Sequence, residues 1–358
     1  MQAVLCGYYG MGNGGDEALL AVLLEMLPAH VTPIVLSGNP AQTAATYGVT
    51  AYHRKSVPQV LQAFQQAEVF IWGGGSLMQD VTSPLSPLYY GGLMLLAQKM
   101  GLKTIAWAQG IGPLERSPTR WLTRYCLTHC TAVSVRDQRS ADLVKGWGIK
   151  SLCAPDPVWA MSPEPGPEIK IDHTQANTQS NTKSNVAVIL RPHPLLTEAR
   201  LTVLTQALIQ FQSLTQTHLL LVPFQPVTDR AIAHTIHSHL PQHSQIVACE
   251  NPRQLHGLFE TVDFAIAMRL HGVIMAAAAG CRCWAISYDP KVSQLMQALN
   301  IPGWELAELP SKAITISETW HRHYRQGTPL VQTTIKDVVD CARLHRNLLQ
   351  QHLSPASS

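Results

Sequence analysis

Four cations close four apolar runs: Arg136 ends AVSVRD, Arg191 ends VAVILRPHP, Arg269 ends DFAIAMRLHG and Lys291 follows AISYDP. Each run reads as a buried strand, so the cations fall at strand carboxyl ends, where open α/β sheets bind ligands. A single arginine there is commonly a surface ion pair, and Arg136 with Asp137 or Lys291 with Asp289 fits that reading. Four together suggest a pocket for a compact polyanion, because guanidinium forks hold phosphate and carboxylate bidentately. His271 lies two residues beyond Arg269, on the turn into the apolar helix VIMAAAAG. With an unperturbed pKa of ~6.5 it exchanges a proton near neutrality, and beside two cations a general-acid role outweighs a merely structural one.

Two glycine-rich turns offer a second set of strand ends. Gly10, Gly12 and Gly15 spell G-x-G-x-x-G between a strand and a helix. The acidic residue that would hold a ribose is missing, since the next strand closes on Leu36, Ser37, Gly38 and Asn39. Asp16 and Glu17 open the helix and would repel a phosphate, so dinucleotide binding is disfavoured. Asp16 is either the helix N-cap or a carboxylate facing a hydroxylated acceptor, where it could hold or deprotonate a sugar OH. Gly73, Gly74 and Gly75 follow VFIW and precede Ser76, Gln79 and Asp80. This is either a tight turn or a ligand loop. No G-x-x-x-x-G-K-[ST] occurs, which excludes a P-loop enzyme. The 16 histidines form no HExxH, and Cys281-x-Cys283 or His321-x-His323 alone falls short of a zinc ligand set, so no metal is expected.

The elements that must position these residues can be read from hydropathy. The 358 residues exceed one ordinary domain and predict two. Strand and helix patterns alternate up to Ala160, restart at VAVILRP and run to about residue 330. Such alternation predicts parallel sheets: an amino-terminal Rossmann-like domain over 1–160 and a second over 186–330. The Pro/Gly then Asn/Thr/Gln/Ser-rich stretch 161–185 reads as a linker. From Thr333 to Leu353, apolar residues share one helical face, predicting a terminal amphipathic helix within 331–358 that docks on a core. The basic cluster at His321, Arg322, His323 and Arg325 is a weaker candidate for membrane contact. Charged residues are only 14%, against roughly 25% in ordinary domains, while 46% are hydrophobic. A net charge of +3 excludes a duplex-binding footprint and requires any anion site to be local. Nothing reaches the ~20 apolar residues of a membrane span, and no Lys or Arg precedes Arg54 to make a basic leader. Eight scattered cysteines without paired CxxC units predict reduced thiols.

The strings GYYGMGNGGDEALL, WGGGSLMQD, AQGIGP, SVRDQRSADLVKGWG, APDPVWAM, ILRPHP, MRLHGVIMAAAAG and ISYDPKV, in this order from residue 7 to 292, resemble the polysaccharide pyruvyl transferase family, in particular its cell-surface-anchoring CsaB branch. The resemblance implies a GT-B-like fold: two Rossmann-like domains facing a cleft, with the terminal helix returning to the first. It implies pyruvyl transfer from phosphoenolpyruvate to two hydroxyls of a sugar, releasing phosphate and forming a ketal, with a 4,6-ketal suggested. No cofactor is implied beyond phosphoenolpyruvate as donor substrate. The acceptor it implies is a cell-surface polymer sugar such as an N-acetylmannosamine-type residue, lipid-linked on the cytoplasmic face, so the expected location is cytoplasmic with peripheral association at the inner membrane face. In these terms His271 is the general acid. Arg136, Arg191, Arg269 and Lys291 bind the donor, and Asp16, Gly74, Gly75, Gln79 and Gln109 form the acceptor side. The rival readings are a GT-B glycosyltransferase using a nucleotide sugar, which needs a ribose-holding carboxylate that does not occur after Lys291 until Glu305, and a non-catalytic polysaccharide-binding protein.

Overall fold

The computed structural model describes residues 1–81, 83–169 and 184–354. Most of the 161–185 stretch read as a linker, residues 170–183, lies outside them. The chain divides into two compact units, Met1–Ser162 with Asp337–Ser358, and Pro163–Lys336.

The first unit is built on β1 (Gln2–Cys6), β2 (Thr32–Ser37), β3 (Thr50–His53), β4 (Val69–Trp72), β5 (Lys103–Gln109), β6 (Ala132–Val135) and β7 (Leu152–Cys153). All pair in parallel, in the order β3-β2-β1-β4-β5-β6-β7. Strands buried on both faces read as continuous apolar runs, and β4, Val-Phe-Ile-Trp, is fully buried. The crossovers carry α1 (Gly14–Met26), α2 (Pro40–Tyr47), α3 (Val57–Gln66), α4 (Leu85–Lys99), α5 (Ser117–Thr128) and α6 (Gln138–Gly146). One core joins Val4, Ile34, Phe64, Phe70, Trp72 and Met94.

The second unit repeats the design with β8 (Asn185–Ile189), β9 (His218–Leu221), β10 (Ser244–Ile246), β11 (Phe264–Ala267), β12 (Arg282–Ser287) and β13 (Gly303–Glu305), parallel in the order β10-β9-β8-β11-β12-β13. Its helices are α7 (Glu198–Thr215), α8 (Pro226–His239), α9 (Pro252–Phe259), α10 (Leu270–Ala278), α11 (Pro290–Leu299) and α12 (Ala313–Gln326). The start of the expected linker is packed structure: Glu164 accepts from Asn251 Nδ2 at 2.8 Å and pairs with Arg253 at 3.4 Å. The basic cluster at 321–325 lies on α12, which packs on α7 and buries Ile316 and Trp320. His323 sits 5.5 Å from the Trp284 ring, so this segment closes a core.

The single terminal helix expected over 333–353 is two helices, α13 (Gln332–Ala342) and α14 (Leu344–Leu353), with the chain turning at Arg343. The turn delivers His345, fully buried, into the first unit. Its Nε2 donates to Pro155 O (3.1 Å), its Nδ1 accepts from Ser134 Oγ (3.0 Å), and Ser134 Oγ in turn accepts from Ala108 N (2.8 Å). Burial pushes this imidazole down to about 4, which matches the neutral form that these bonds require.

Candidate functional site

Each sheet reverses its strand order once, between β1 and β4 in the first unit and between β8 and β11 in the second. The crevice outside such a switch point is where doubly wound sheets hold ligands. The glycine turns and Asp16 follow β1 and β4, whereas Arg191, Arg269 with His271, and Lys291 follow three adjacent strands, β8, β11 and β12. Arg136 follows β6 in the first unit.

In the first unit the N-cap of α1 is Asn13, whose Oδ1 accepts from Gly15 N at 3.0 Å. Asn13 is thus the cap, and Asp16 is half-buried in the first turn of α1. It borders the second glycine turn, since a Cβ at Gly75 would stand 3.3 Å from Asp16 Oδ1. Gly75 has φ +114°, a backbone that side chains rarely adopt. Gly74 is glycine for packing, because a Cβ there would meet Leu19 Cδ2 at 2.8 Å. The G-x-G-x-x-G loop already holds a carboxyl group of its own. Glu17 Oε1 accepts from Gly10 N (2.8 Å) and Met11 N (3.2 Å), filling the amides a pyrophosphate would need.

Burial, reinforced by the charge of Asp16, raises the Glu17 carboxyl to about 7 despite those amides. A carboxyl whose folded pKa exceeds its unfolded value of ~4.3 keeps its proton longer when folded. Its contribution to stability is therefore present at low pH and lost as pH rises through about 7. Glu17→Gln should gain on the wild type by up to about 3 kcal/mol between pH 5 and pH 8, measured by urea unfolding at both. An unchanged difference between the two proteins would contradict this account.

Gln79 is half-buried on the turn after Gly75. Gln109 differs from its expected acceptor contact: it is fully buried, and its Nε2 braces the strand ends through Trp72 O (3.3 Å), Gly73 O (3.0 Å) and Trp107 O (3.0 Å). The reason is an irregularity in β5, where Ala108 takes φ +49° and the register shifts against β6. Arg136 is likewise engaged. It pairs with Asp156 at 2.6 Å, both side chains 6% exposed, and donates from Nη2 to Ser76 Oγ at 3.1 Å. Asp137, the partner considered from sequence, caps α6 through Ser140 N at 2.7 Å.

In the second unit Arg269 is the N-cap of α10, placing His271 in that helix's first turn. Asp229, from α8, grips the guanidinium bidentately, Nε–Oδ2 2.7 Å and Nη2–Oδ1 2.6 Å. Asp229 is itself held by Gln225 N (3.0 Å) and Thr228 Oγ1 (2.8 Å). Arg269 Nη1 makes no hydrogen bond among the described residues. Arg191 lies 4.8 Å over the Tyr288 ring and donates to its hydroxyl at 2.8 Å, so the tyrosine sets its direction. Burial and the nearby Arg191 lower His193, beside the same ring at 5.0 Å. Lys291 is half-buried in the first turn of α11, which Asp289 caps through Lys291 N at 2.9 Å.

Sequence reasoning missed Arg54, just past β3. It is 8% exposed, with Cζ 5.1–5.5 Å from the rings of Tyr8, Tyr89 and Tyr90 and Nη2 donating to Tyr90 Oη at 2.8 Å. No carboxylate pairs with it among the described residues, and three π faces take that place. The paired tyrosines at 8–9 and 89–90 were the available signal, but their meeting needs the β1–β4 adjacency.

A sequence model of the family described as polysaccharide pyruvyl transferase matches residues 13–290, most of the chain, a span that includes Asp16, Arg191, Arg269 and His271. The chain belongs to this family. No curated protein matches it at a significant level. The fold of this family member is GT-B, two parallel-sheet α/β domains, and similar solved structures share it. The UDP-GlcNAc 2-epimerase of Neisseria meningitidis, solved with UDP-GlcNAc, has TM-score 0.63 at 9% identity over 98% of this chain and 100% of its own. That of Methanocaldococcus jannaschii has TM-score 0.63 at 8% identity over 98% and 99%. Anabaena HepE, solved with UDP-glucose, has TM-score 0.59 at 11% identity over 99% of both chains. At these identities the likeness speaks for fold alone.

Proposed function

We propose that this family member moves the pyruvyl group of phosphoenolpyruvate onto two hydroxyls of a surface-polysaccharide sugar, in the manner of the CsaB branch. The supporting observation is the row of cations at the ends of β8, β11 and β12, adjacent strands spaced ~4.8 Å apart. Phosphoenolpyruvate carries phosphate and carboxylate on one carbon, and Arg269 through Nη1, Arg191 and Lys291 supply the matching charge. Asp229 offsets part of the Arg269 charge, which makes Arg191 and Lys291 necessary. Arg136, balanced by Asp156, positions Ser76 instead of binding donor.

In the reaction, His271 gives a proton to the methylene carbon, leaving a cationic carbon that one sugar hydroxyl attacks. Asp16 takes that hydroxyl's proton. The C–O bond to phosphate then breaks, and the second hydroxyl adds to the same carbon, its proton leaving with phosphate. Overall one hydroxyl proton replaces the proton given to the methyl carbon and the other goes to phosphate. The acceptor is a lipid-linked or nucleotide-linked precursor of the polymer, and the reaction belongs on the cytoplasmic side, where phosphoenolpyruvate is available.

The test is phosphate release from phosphoenolpyruvate with p-nitrophenyl or UDP-linked amino sugars, against a control in which a UDP-sugar is the sole donor. Release that requires both phosphoenolpyruvate and acceptor supports the reading. UDP release from the control overturns it in favour of a glycosyltransferase, and no turnover with binding of polysaccharide favours a binding protein.

A further inference from the structure

The first unit carries an unbalanced surface on α4 and α5. Between Val81 and Ser134 the sequence holds five Lys or Arg and a single acidic residue, Glu115, a local excess larger than the +3 of the entire chain. Four exposed large apolar side chains lie on these two helices: Leu85 (70%), Leu88 (48%), Trp121 (63%) and Tyr125 (41%). The two helices pack together where Gly91 meets Leu122, about one turn beyond Leu88 and one residue beyond Trp121.

On α5 the inward face is Leu122, Thr123, Cys126 and Leu127, all buried. The outward face presents Arg120, Trp121, Arg124 and Tyr125, all exposed. Trp121 and Tyr125 are neighbours at 5.5 Å, and Tyr125 stacks on His129 at 4.3 Å. A soluble helix hides such rings or surrounds them with mixed charge. Here they alternate with cations only.

We propose that the α4–α5 face seats the protein on an anionic bilayer surface. Tryptophan and tyrosine are suited to the headgroup layer, apolar body inward and polar tip at the water, and interleaved arginines reach anionic headgroups on long stems. Leu85 and Leu88 add apolar area beside the rings. A second copy of this chain is the poorer occupant, because a two-fold contact through α5 would oppose Arg120 and Arg124 to their own like charges. This proposal goes beyond the transfer reading and does not depend on it, since lipid binding is read without turnover.

The experiment is co-sedimentation of the full chain with phosphatidylcholine vesicles and with vesicles also containing phosphatidylglycerol. Binding is expected to the second kind alone and to weaken as salt rises. Trp121→Ser with Tyr125→Ser, and separately Arg124→Glu, should each lower the partition coefficient about tenfold or more, with unchanged melting temperatures because these side chains are exposed. Arg120 is left intact, since it donates to Leu114 O at 2.8 Å and holds the turn before α5. Wild-type protein that stays in the supernatant with both vesicle types, or a double variant that binds as well as wild type, overturns the proposal. So does a wild-type dimer in solution that the double variant disperses, which would make this face a self-contact.

Discussion

His271→Ala is expected to slow pyruvyl transfer by ~10²–10⁴, the usual worth of a positioned acid, while phosphoenolpyruvate still binds and the melting temperature holds. The physical basis is its place. His271 stands in the first turn of α10 directly after Arg269, at the end of the strand beside the sheet's switch point. Protonating the methylene carbon of an enol phosphate needs a positioned proton donor, and an imidazole can serve as one. Removing the ring leaves Arg269, Arg191 and Lys291 in place, so calorimetry should show donor affinity little changed and the loss should appear in kcat. Turnover at the wild-type rate would remove His271 from the reaction. Lost affinity with retained kcat would make it a donor ligand instead.

The second large effect is on stability. Asp229→Ala is expected to cost about 3–5 kcal/mol, because it strands the Arg269 guanidinium, 7% exposed, without its bidentate carboxylate. It also frees Gln225 N and Thr228 Oγ1, which Asp229 now satisfies. For a domain this size the unfolding midpoint of the second unit should fall by roughly 10 °C. Asp229→Leu with Arg269→Met, which removes both charges, should recover most of that stability. A single Ala variant that melts with the wild type would mean the pair is not formed, and the assignment of a pre-aimed Arg269 would fail with it.

The legible parts of this protein were those written in local pattern. Both parallel sheets announced themselves through strand–helix alternation, and the cations at β8, β11 and β12 were visible because charge is scarce in the chain. What stayed hidden depended on strand order and on side-chain partners. Asp16 was read as a possible helix cap, whereas Asn13, three residues earlier, takes that place in the structure. Gln109 looked presented, yet the positive φ of Ala108 turns it inward. Asp156 and Asp229, the partners of Arg136 and Arg269, stand 20 and 40 residues away in sequence, beyond any spacing rule. The turn at Arg343 between α13 and α14 has no glycine or proline to mark it. Arg54 was unreadable because the β1–β4 adjacency that gathers Tyr8, Tyr89 and Tyr90 around it is a fact of topology.

The most direct test follows the three carbons. Phosphoenolpyruvate labelled with ¹³C at all three carbons is incubated with the protein and an amino-sugar acceptor, and the sugar product is analysed by mass spectrometry and carbon NMR. All three labelled carbons are expected on the sugar as one ketal bridging two oxygens, with phosphate released in equal amount. Label confined to unreacted donor, or to free pyruvate while the sugar stays unmodified, would contradict pyruvyl transfer.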